Sequence, residues 1–99
     1  WKLPSLTSAN WQSVSALIDE RDPYCAGIVM LGLDTPAQEL AEGFNNSVHC
    51  DKVKGFAVGR TLFGAPSRDW LAGKIDDETL VSQIKQNYHD LITLWRDRG

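Results

Sequence analysis

The chain has 99 residues, a formal net charge of −3 and an apolar share of 42%. This length suits one domain or part of one, and the apolar share argues against intrinsic disorder. The acidic balance gives no electrostatic reason to expect nucleic acid, and no apolar run approaches the roughly 20 residues that cross a membrane. Because no signal-peptide pattern follows Trp1, the composition predicts a cytoplasmic globular protein.

The first predicted elements are a strand tip and a helix. Residues 1–3 are largely apolar and Pro4 stops them, which indicates the end of a strand. Ser8 or Asn10 can cap a helix that ends before the Asp-Pro pair that follows it, because the residue before proline avoids the helical region. The apolar face of this helix is predicted to comprise Trp11, Val14, Leu17 and Ile18.

Two more strands follow, with a helix between them. Residues 25–33 contain a continuous apolar run that is typical of a buried parallel strand. Thr35 can cap a helix over about residues 36–45, with Pro36 at its first position. Residues 52–58 form the third predicted strand.

Two helices are predicted at the end of the chain. Pro66 is expected to start a short helix over residues 67–71, since proline is tolerated in a first turn. Asp76 or Asp77 caps a long helix that runs to about residue 96. The core face of this long helix is predicted from apolar residues at helical spacing, namely Leu80, Ile84, Tyr88, Leu91 and Trp95.

Alternating strands and helices predict an α/β fold with a parallel sheet and right-handed crossovers. Three strands with helices on one side leave the other sheet face bare, whereas a closed (β/α)8 TIM barrel fills it with layered side chains. Such a barrel needs about 250 residues. We therefore expect residues 1–99 to be a single fragment, the C-terminal strands six to eight of a TIM barrel. A small flavodoxin-like or rhodanese-like sheet is the competing topology. A barrel fragment would expose apolar faces, so we expect it to self-associate or to pack on the rest of the barrel, which gel filtration would detect.

The third strand passes directly into a possible anion site. Gly59 places no side chain between its amide and a ligand, and Arg60 offers a planar fork of donors for a phosphate or carboxylate. Thr61 adds a hydroxyl. The alternative interpretation of the same residues is a strand end with a solvated arginine.

Cysteine content predicts neither a disulfide framework nor a metal site. Cys25 and Cys50 each precede an apolar run, so both thiols should lie near the N-terminal edge of the sheet and could be close. Cytosolic thiols stay reduced, which makes a structural disulfide a minor alternative. The adjacent residues 49–51 include histidine, cysteine and aspartate, but three neighbours rarely converge on one ion and no fourth ligand is suitably spaced. We expect no metal and no cofactor.

Three segments together resemble a known family: residues 1–3 (WKL), residues 22–34 (DPYCAGIVMLGLD) and residues 53–64 (VKGFAVGRTLFG). They are similar to the C-terminal barrel domain fused to 5-dehydro-2-deoxygluconokinase in bacterial myo-inositol catabolism proteins. That domain resembles the class I aldolases related to tagatose-bisphosphate aldolases. The resemblance covers nearly the whole chain but only the last part of the family's barrel, and residues 55–64 are its most specific portion.

This resemblance implies retro-aldol cleavage of 5-dehydro-2-deoxygluconate phosphate to a three-carbon phosphate and malonate semialdehyde. In class I aldolases a lysine at the end of the sixth strand forms a Schiff base with the substrate ketone, and Lys2 occupies the matching place. A protonated imine withdraws electrons better than a ketone, and the amine must be neutral to attack. The alternative is an ordinary strand-end lysine.

The resemblance also places the substrate phosphate between the loops after the seventh and eighth strands. Gly59, Arg60 and Thr61 would form one wall, with backbone amides at a helix start, and Gly32 would belong to the other wall. Asp34 departs from the small, neutral loop of the related aldolases, so its carboxylate must turn away from a phosphate or pair with Arg60. The sequence leaves open a second function, a non-catalytic sugar-phosphate-binding or structural module attached to a carbohydrate kinase.

Overall fold

The computed structural model covers residues 1–99 and contains three strands and four helices. The strands are β1 (Lys2–Leu3), β2 (Ile28–Leu31) and β3 (Val53–Ala57). The helices are α1 (Ser8–Arg21), α2 (Ala37–Asn46), α3 (Arg60–Leu71) and α4 (Asp77–Arg96). The predicted order of elements is therefore confirmed, and the chain is a small α/β domain with a parallel sheet. No helix has the length and apolar character that a membrane span requires.

The sheet is parallel, with strand order β1-β2-β3 and helical crossovers α1 and α2 between neighbouring strands. Since such crossovers are right-handed, both helices pack on the same face of the sheet. Ile28 and Met30 of β2 are fully buried on that face. The core that these side chains form with the helices comprises Trp11, Ile18, Leu40, Phe44, Cys50, Val53 and Leu91.

Aromatic rings close the core beneath α4. Phe44 lies 5.2 Å from Phe56 and 5.2 Å from Trp95, measured between ring centroids. Tyr88 reaches the same cluster at 6.5 Å from Phe56. Edge-to-face and tilted pairs at these distances contribute stability beyond their buried area. The predicted core face of α4 is thus real, although Tyr88 keeps half of its surface exposed.

The opposite face of the sheet is uncovered. Lys2 is level with Val29 of β2, and Val29 is in turn level with Gly55 of β3. A Cβ built on Gly55 would meet no atom within 4 Å, and Ala57, two residues further along β3, is exposed. Since no helix or strand of the chain packs on it, this face is available to other structure.

Side-chain caps explain where the helices α1 and α4 begin. The Thr7 side chain accepts a hydrogen bond from the Asn10 amide and caps α1. Asp76 does the same for the Thr79 amide at α4, and hydrogen bonds from Thr79 hold the pKa of Asp76 below its ordinary value. The expected Thr35 cap is wrong, because Pro36 occupies the cap position of α2 without a side-chain hydrogen bond. A capping side chain is therefore absent at α2 and its first turn relies on packing.

The predicted short helix after Pro66 is wrong, because α3 begins six residues earlier at Arg60 and carries Pro66 inside it. Proline has no amide to donate, and its ring interferes with the carbonyl four residues before it, here that of Leu62. The side-chain amide of Asn87 on α4 donates to the Leu62 carbonyl at 2.8 Å. A tertiary contact thus satisfies the carbonyl that Pro66 leaves without its helical partner.

We expect Asn87→Leu to lower the free energy of unfolding by about 1–2 kcal/mol, because it leaves the half-buried Leu62 carbonyl without a donor. The loss should be smaller in a Pro66→Ala background, since the restored amide at position 66 can bond this carbonyl. Urea denaturation of the four variants in a double-mutant cycle measures the coupling.

Gln86→Leu is the matched control, because Gln86 lies on the same helix and bonds only the exposed carboxylate of Asp90. Its effect should stay within about 0.5 kcal/mol. Equal losses for Asn87→Leu with and without Pro66 would show that the Asn87 amide does not compensate for the proline.

Candidate functional site

A groove lies at the C-terminal edge of the sheet, between the loop that follows β2 and the start of α3. Its volume is about 300 Å³, and its walls include Gly32, Asp34, Gly59, Arg60 and Phe63. Ligand sites of open α/β sheets lie outside the carboxyl ends of the strands, as this groove does. Of the four residues predicted to bind phosphate, Gly32, Gly59 and Arg60 line it together.

The β3 side of the groove is a helix start that carries a cation. Gly59 is the cap residue of α3 and supplies no side-chain hydrogen bond, while its carbonyl accepts from the Leu62 and Phe63 amides. The amides of the first helical residues, Arg60 and Thr61, have no acceptor within the helix and bear the positive end of its dipole. Arg60 is exposed and forms no salt bridge. This side can therefore accept an anion without breaking an existing ion pair.

The β2 side of the groove is a strained turn. Leu33 and Asp34 both have positive φ, +50° and +63°, in a region that residues other than glycine rarely occupy. The turn is closed by a hydrogen bond of 3.0 Å from the Thr35 amide to the Gly32 carbonyl. Strain of this kind is concentrated at functional sites, where surrounding structure holds it in place.

Close packing holds the two sides together. Gly32 is buried, and a Cβ built on it would lie 2.9 Å from a methyl group of Val58. The Thr61 hydroxyl donates to the Thr35 carbonyl at 2.7 Å across the same gap. Thr61 therefore joins the two loops and does not line the groove, so its hydroxyl proton is already in use.

Asp34 does not pair with Arg60, although it lines the same groove. Its carboxylate is exposed and makes no hydrogen bond to another residue. The favourable pairing considered from the sequence is therefore absent. The charge of Asp34 opposes anion binding wherever it faces the groove, while Arg60 and the helix amides favour it.

Phe63 is a wall of the groove that the sequence did not indicate. Its ring is 43% exposed, and a Cβ on Gly59 would lie 3.0 Å from it. Residues three apart lie on the same face of a helix. A helix predicted to begin at Arg60 would therefore have placed Phe63 beside that arginine. The Phe63 ring therefore supplies an apolar surface next to Gly59 and Arg60, the residues predicted to bind the anion.

Lys2 lies outside the groove, on the uncovered face of the sheet. It is exposed and sits level with Gly55, two strands away and four residues before Gly59. Strand spacing and rise place the Cα atoms of Lys2 and Gly59 about 10 Å apart across the sheet and about 13 Å apart along it. The predicted Schiff-base lysine and the predicted phosphate site are therefore on the same sheet but not in contact. The Lys2 side chain and a bound substrate would together have to span the distance between them.

A sheet edge of this kind defines a class, the parallel α/β domain with a ligand groove at the carboxyl ends of its strands. The chain belongs to a bacterial protein family, because a family model described as "Uncharacterized protein conserved in bacteria (DUF2090)" matches residues 1–99. No curated protein and no solved structure matches the chain.

Proposed function

We propose that the chain is the C-terminal part of a class I aldolase-like (β/α)8 barrel and contributes its last three strands. Two features of the fold support this arrangement. The helices all lie on one face of a parallel sheet, and the uncovered face is the one that a barrel would turn towards its interior. Both β1 and β3 keep a free edge, where further strands of a closed barrel would pair.

The proposed reaction is retro-aldol cleavage of 5-dehydro-2-deoxygluconate phosphate in the cytoplasm, in a protein that also carries a carbohydrate kinase. The observation that carries it is the presence on one sheet of a lysine on the uncovered face and, at the carboxyl edge, of a groove that contains Arg60. Lys2 would attack the substrate ketone and release water as the imine forms. Arg60 and the α3 amides would hold the phosphate and so orient the ketone towards the lysine.

Bond cleavage would then send the carbon–carbon bonding electrons into the protonated imine of Lys2. Malonate semialdehyde would leave first, and Lys2 would then carry the three-carbon phosphate as an enamine. Protonation of the enamine carbon would restore the imine, and hydrolysis of the imine would release the three-carbon phosphate. The step needs a base to take a hydroxyl proton from the substrate. The carboxylate that lines the groove, Asp34, lies beside the proposed phosphate site and not beside Lys2. The acid and base of the proposed reaction would therefore come from the other strands of the barrel. The isolated chain is therefore expected to be inactive.

A second candidate is a non-catalytic module that binds a sugar phosphate next to a kinase. The observation that favours it is the absence of Lys2 from the groove, because the groove alone can bind an anion without chemistry. Both candidates require Gly59 and Arg60, and they differ in whether carbon–carbon bond cleavage occurs.

A coupled assay distinguishes these functions. The complete protein is expected to release malonate semialdehyde from 5-dehydro-2-deoxygluconate phosphate, detected by a dehydrogenase that oxidises the aldehyde. The same substrate without its phosphate serves as the control and should react more slowly. Binding of the sugar phosphate without any aldehyde would favour the non-catalytic module and would contradict the aldolase proposal.

A further inference from the structure

Two free cysteines occupy equivalent places at the opposite edge of the sheet. Cys25 lies three residues before Ile28, and Cys50 lies three residues before Val53. Ile28 and Val53 are partners in the parallel register, so the two segments enter neighbouring strands about 4.8 Å apart. Both side chains contact the same hydrophobic core.

Backbone contacts draw the two segments together before the strands begin. The Ile28 amide donates to the Lys52 carbonyl at 2.7 Å. A Cβ built on Gly27 would lie 3.3 Å from that carbonyl oxygen and 2.7 Å from the Lys54 side chain. The Cys25 thiol in turn lies 3.6 Å from the Gly27 carbonyl. The residues after Cys25 therefore run directly alongside those after Cys50.

Lys52 places a positive charge beside both thiols. Its ammonium group lies 2.6 Å from the Asp19 carboxylate, whose hydrogen bond raises the pKa of Lys52, and its charge also interacts with Cys25 and Cys50. Cys25 is half-buried and Cys50 is 8% exposed, so a small oxidant reaches Cys25 more readily.

We propose that Cys25 and Cys50 form an oxidisable thiol pair that a hydroperoxide converts into a disulfide. The Cys25 thiolate attacks the peroxide oxygen, the O–O bond breaks, and the alcohol or water leaves with a proton, which gives a sulfenic acid. The Cys50 thiolate then attacks this sulfur, and the expelled hydroxide takes up a proton to form water. Two thiols lose two electrons, and one peroxide gains them.

The disulfide would close a loop that contains β2 and α2, and it would leave the anion groove untouched at the other edge of the sheet. Closing a loop of this length restricts the unfolded chain, so oxidation is expected to raise Tm by about 10 °C. Phosphate binding at Arg60 should not change. The inference therefore does not depend on the proposed aldolase function.

Proteolysis of the folded 99-residue chain after treatment with hydrogen peroxide tests the pairing. Glu39 and Glu42 lie between the two cysteines, so a glutamate-specific protease separates them unless a disulfide joins the fragments. We expect joined fragments with a mass loss of two hydrogen atoms, released by a reductant. The reaction should be faster than in the urea-unfolded chain, because the parallel register holds the two cysteine segments at the start of neighbouring strands.

Lys52→Gln should slow the oxidation several-fold, because it removes a positive charge that interacts with both cysteines. Lys74→Gln, at an exposed position in the turn before α4, serves as the matched control. Cys25→Ser should prevent the link. Added oxygen on both cysteines without a link, disulfides only between two copies of the chain, or no rate advantage of the folded chain would each overturn the proposal. Since the mapping uses the unsubstituted chain, it decides the question even where a variant fails to fold.

Discussion

Lys2→Ala is expected to abolish covalent trapping of the proposed complete barrel domain when borohydride is added with the ketone substrate. Borohydride reduces a Schiff base to a stable secondary amine, so trapping reports which amine attacks the ketone. Lys2 lies on the uncovered face of the sheet, which a barrel would turn inwards. Mass spectrometry of the reduced protein locates the added group, and the signal should disappear completely in the variant.

Lys54→Ala is the matched control for this experiment. Lys54 is also an exposed lysine at the sheet, where it lies next to the irregularity in the β2–β3 pairing. Its variant should be trapped as well as the unsubstituted protein. Undiminished trapping after Lys2→Ala would remove Lys2 from the mechanism, and loss of trapping in both variants would indicate a structural effect.

Arg60→Ala is expected to weaken phosphate binding by roughly 10- to 100-fold. A hydrogen bond to a charged group contributes about 1.5–3 kcal/mol, and about 1.4 kcal/mol corresponds to a tenfold change in Kd. The Arg60 side chain has no competing ion pair and lies beside the free amides at the start of α3. Calorimetric titration of the 99-residue chain with inorganic phosphate, and then with a sugar phosphate, measures the change.

Arg68→Ala controls for the loss of one positive charge, because Arg68 is an exposed arginine in the last turn of the same helix. It should leave the affinity within about twofold, since Arg68 does not line the groove. Arg60→Lys should retain part of the affinity, because lysine keeps the charge but loses the planar fork. Equal affinities for Arg60→Ala and the unsubstituted chain would exclude this arginine from the anion site.

The Lys2 and Arg60 experiments separate the two candidate functions. A protein that loses phosphate affinity with Arg60→Ala but is never trapped at Lys2 would be a binding module. A protein that is trapped at Lys2 but binds phosphate independently of Arg60 would be an aldolase whose phosphate site lies elsewhere. The aldolase proposal in its full form requires both results.

Most of the secondary structure could be predicted from the sequence, because its signals act over a few residues. Apolar spacing and the Asp76 cap correctly predicted the long helix that spans Asp77–Arg96. The second strand was predicted over residues 25–33 but spans Ile28–Leu31. Its ends were overestimated because Gly27 and Leu33 adopt positive φ, which apolar character alone does not reveal.

The sequence predicted most of the residues that line the candidate site, but it did not predict the role of each residue. Gly32, Gly59 and Arg60 do line one groove, as the parallel topology required. Thr61 was expected to bind phosphate, yet its hydroxyl donates to the Thr35 carbonyl. Phe63 was missed because Pro66 suggested a later start for α3.

The sequence by itself determined the order of strands and helices, because periodicity and capping depend on neighbours along the chain. The tertiary structure alone decided how α3 accommodates its proline and how the groove is closed. Asn87 reaches the Leu62 carbonyl across 25 residues of sequence, and Thr61 reaches Thr35 across 26. Such contacts form only after the helices have packed on the sheet, so no local pattern could have predicted them.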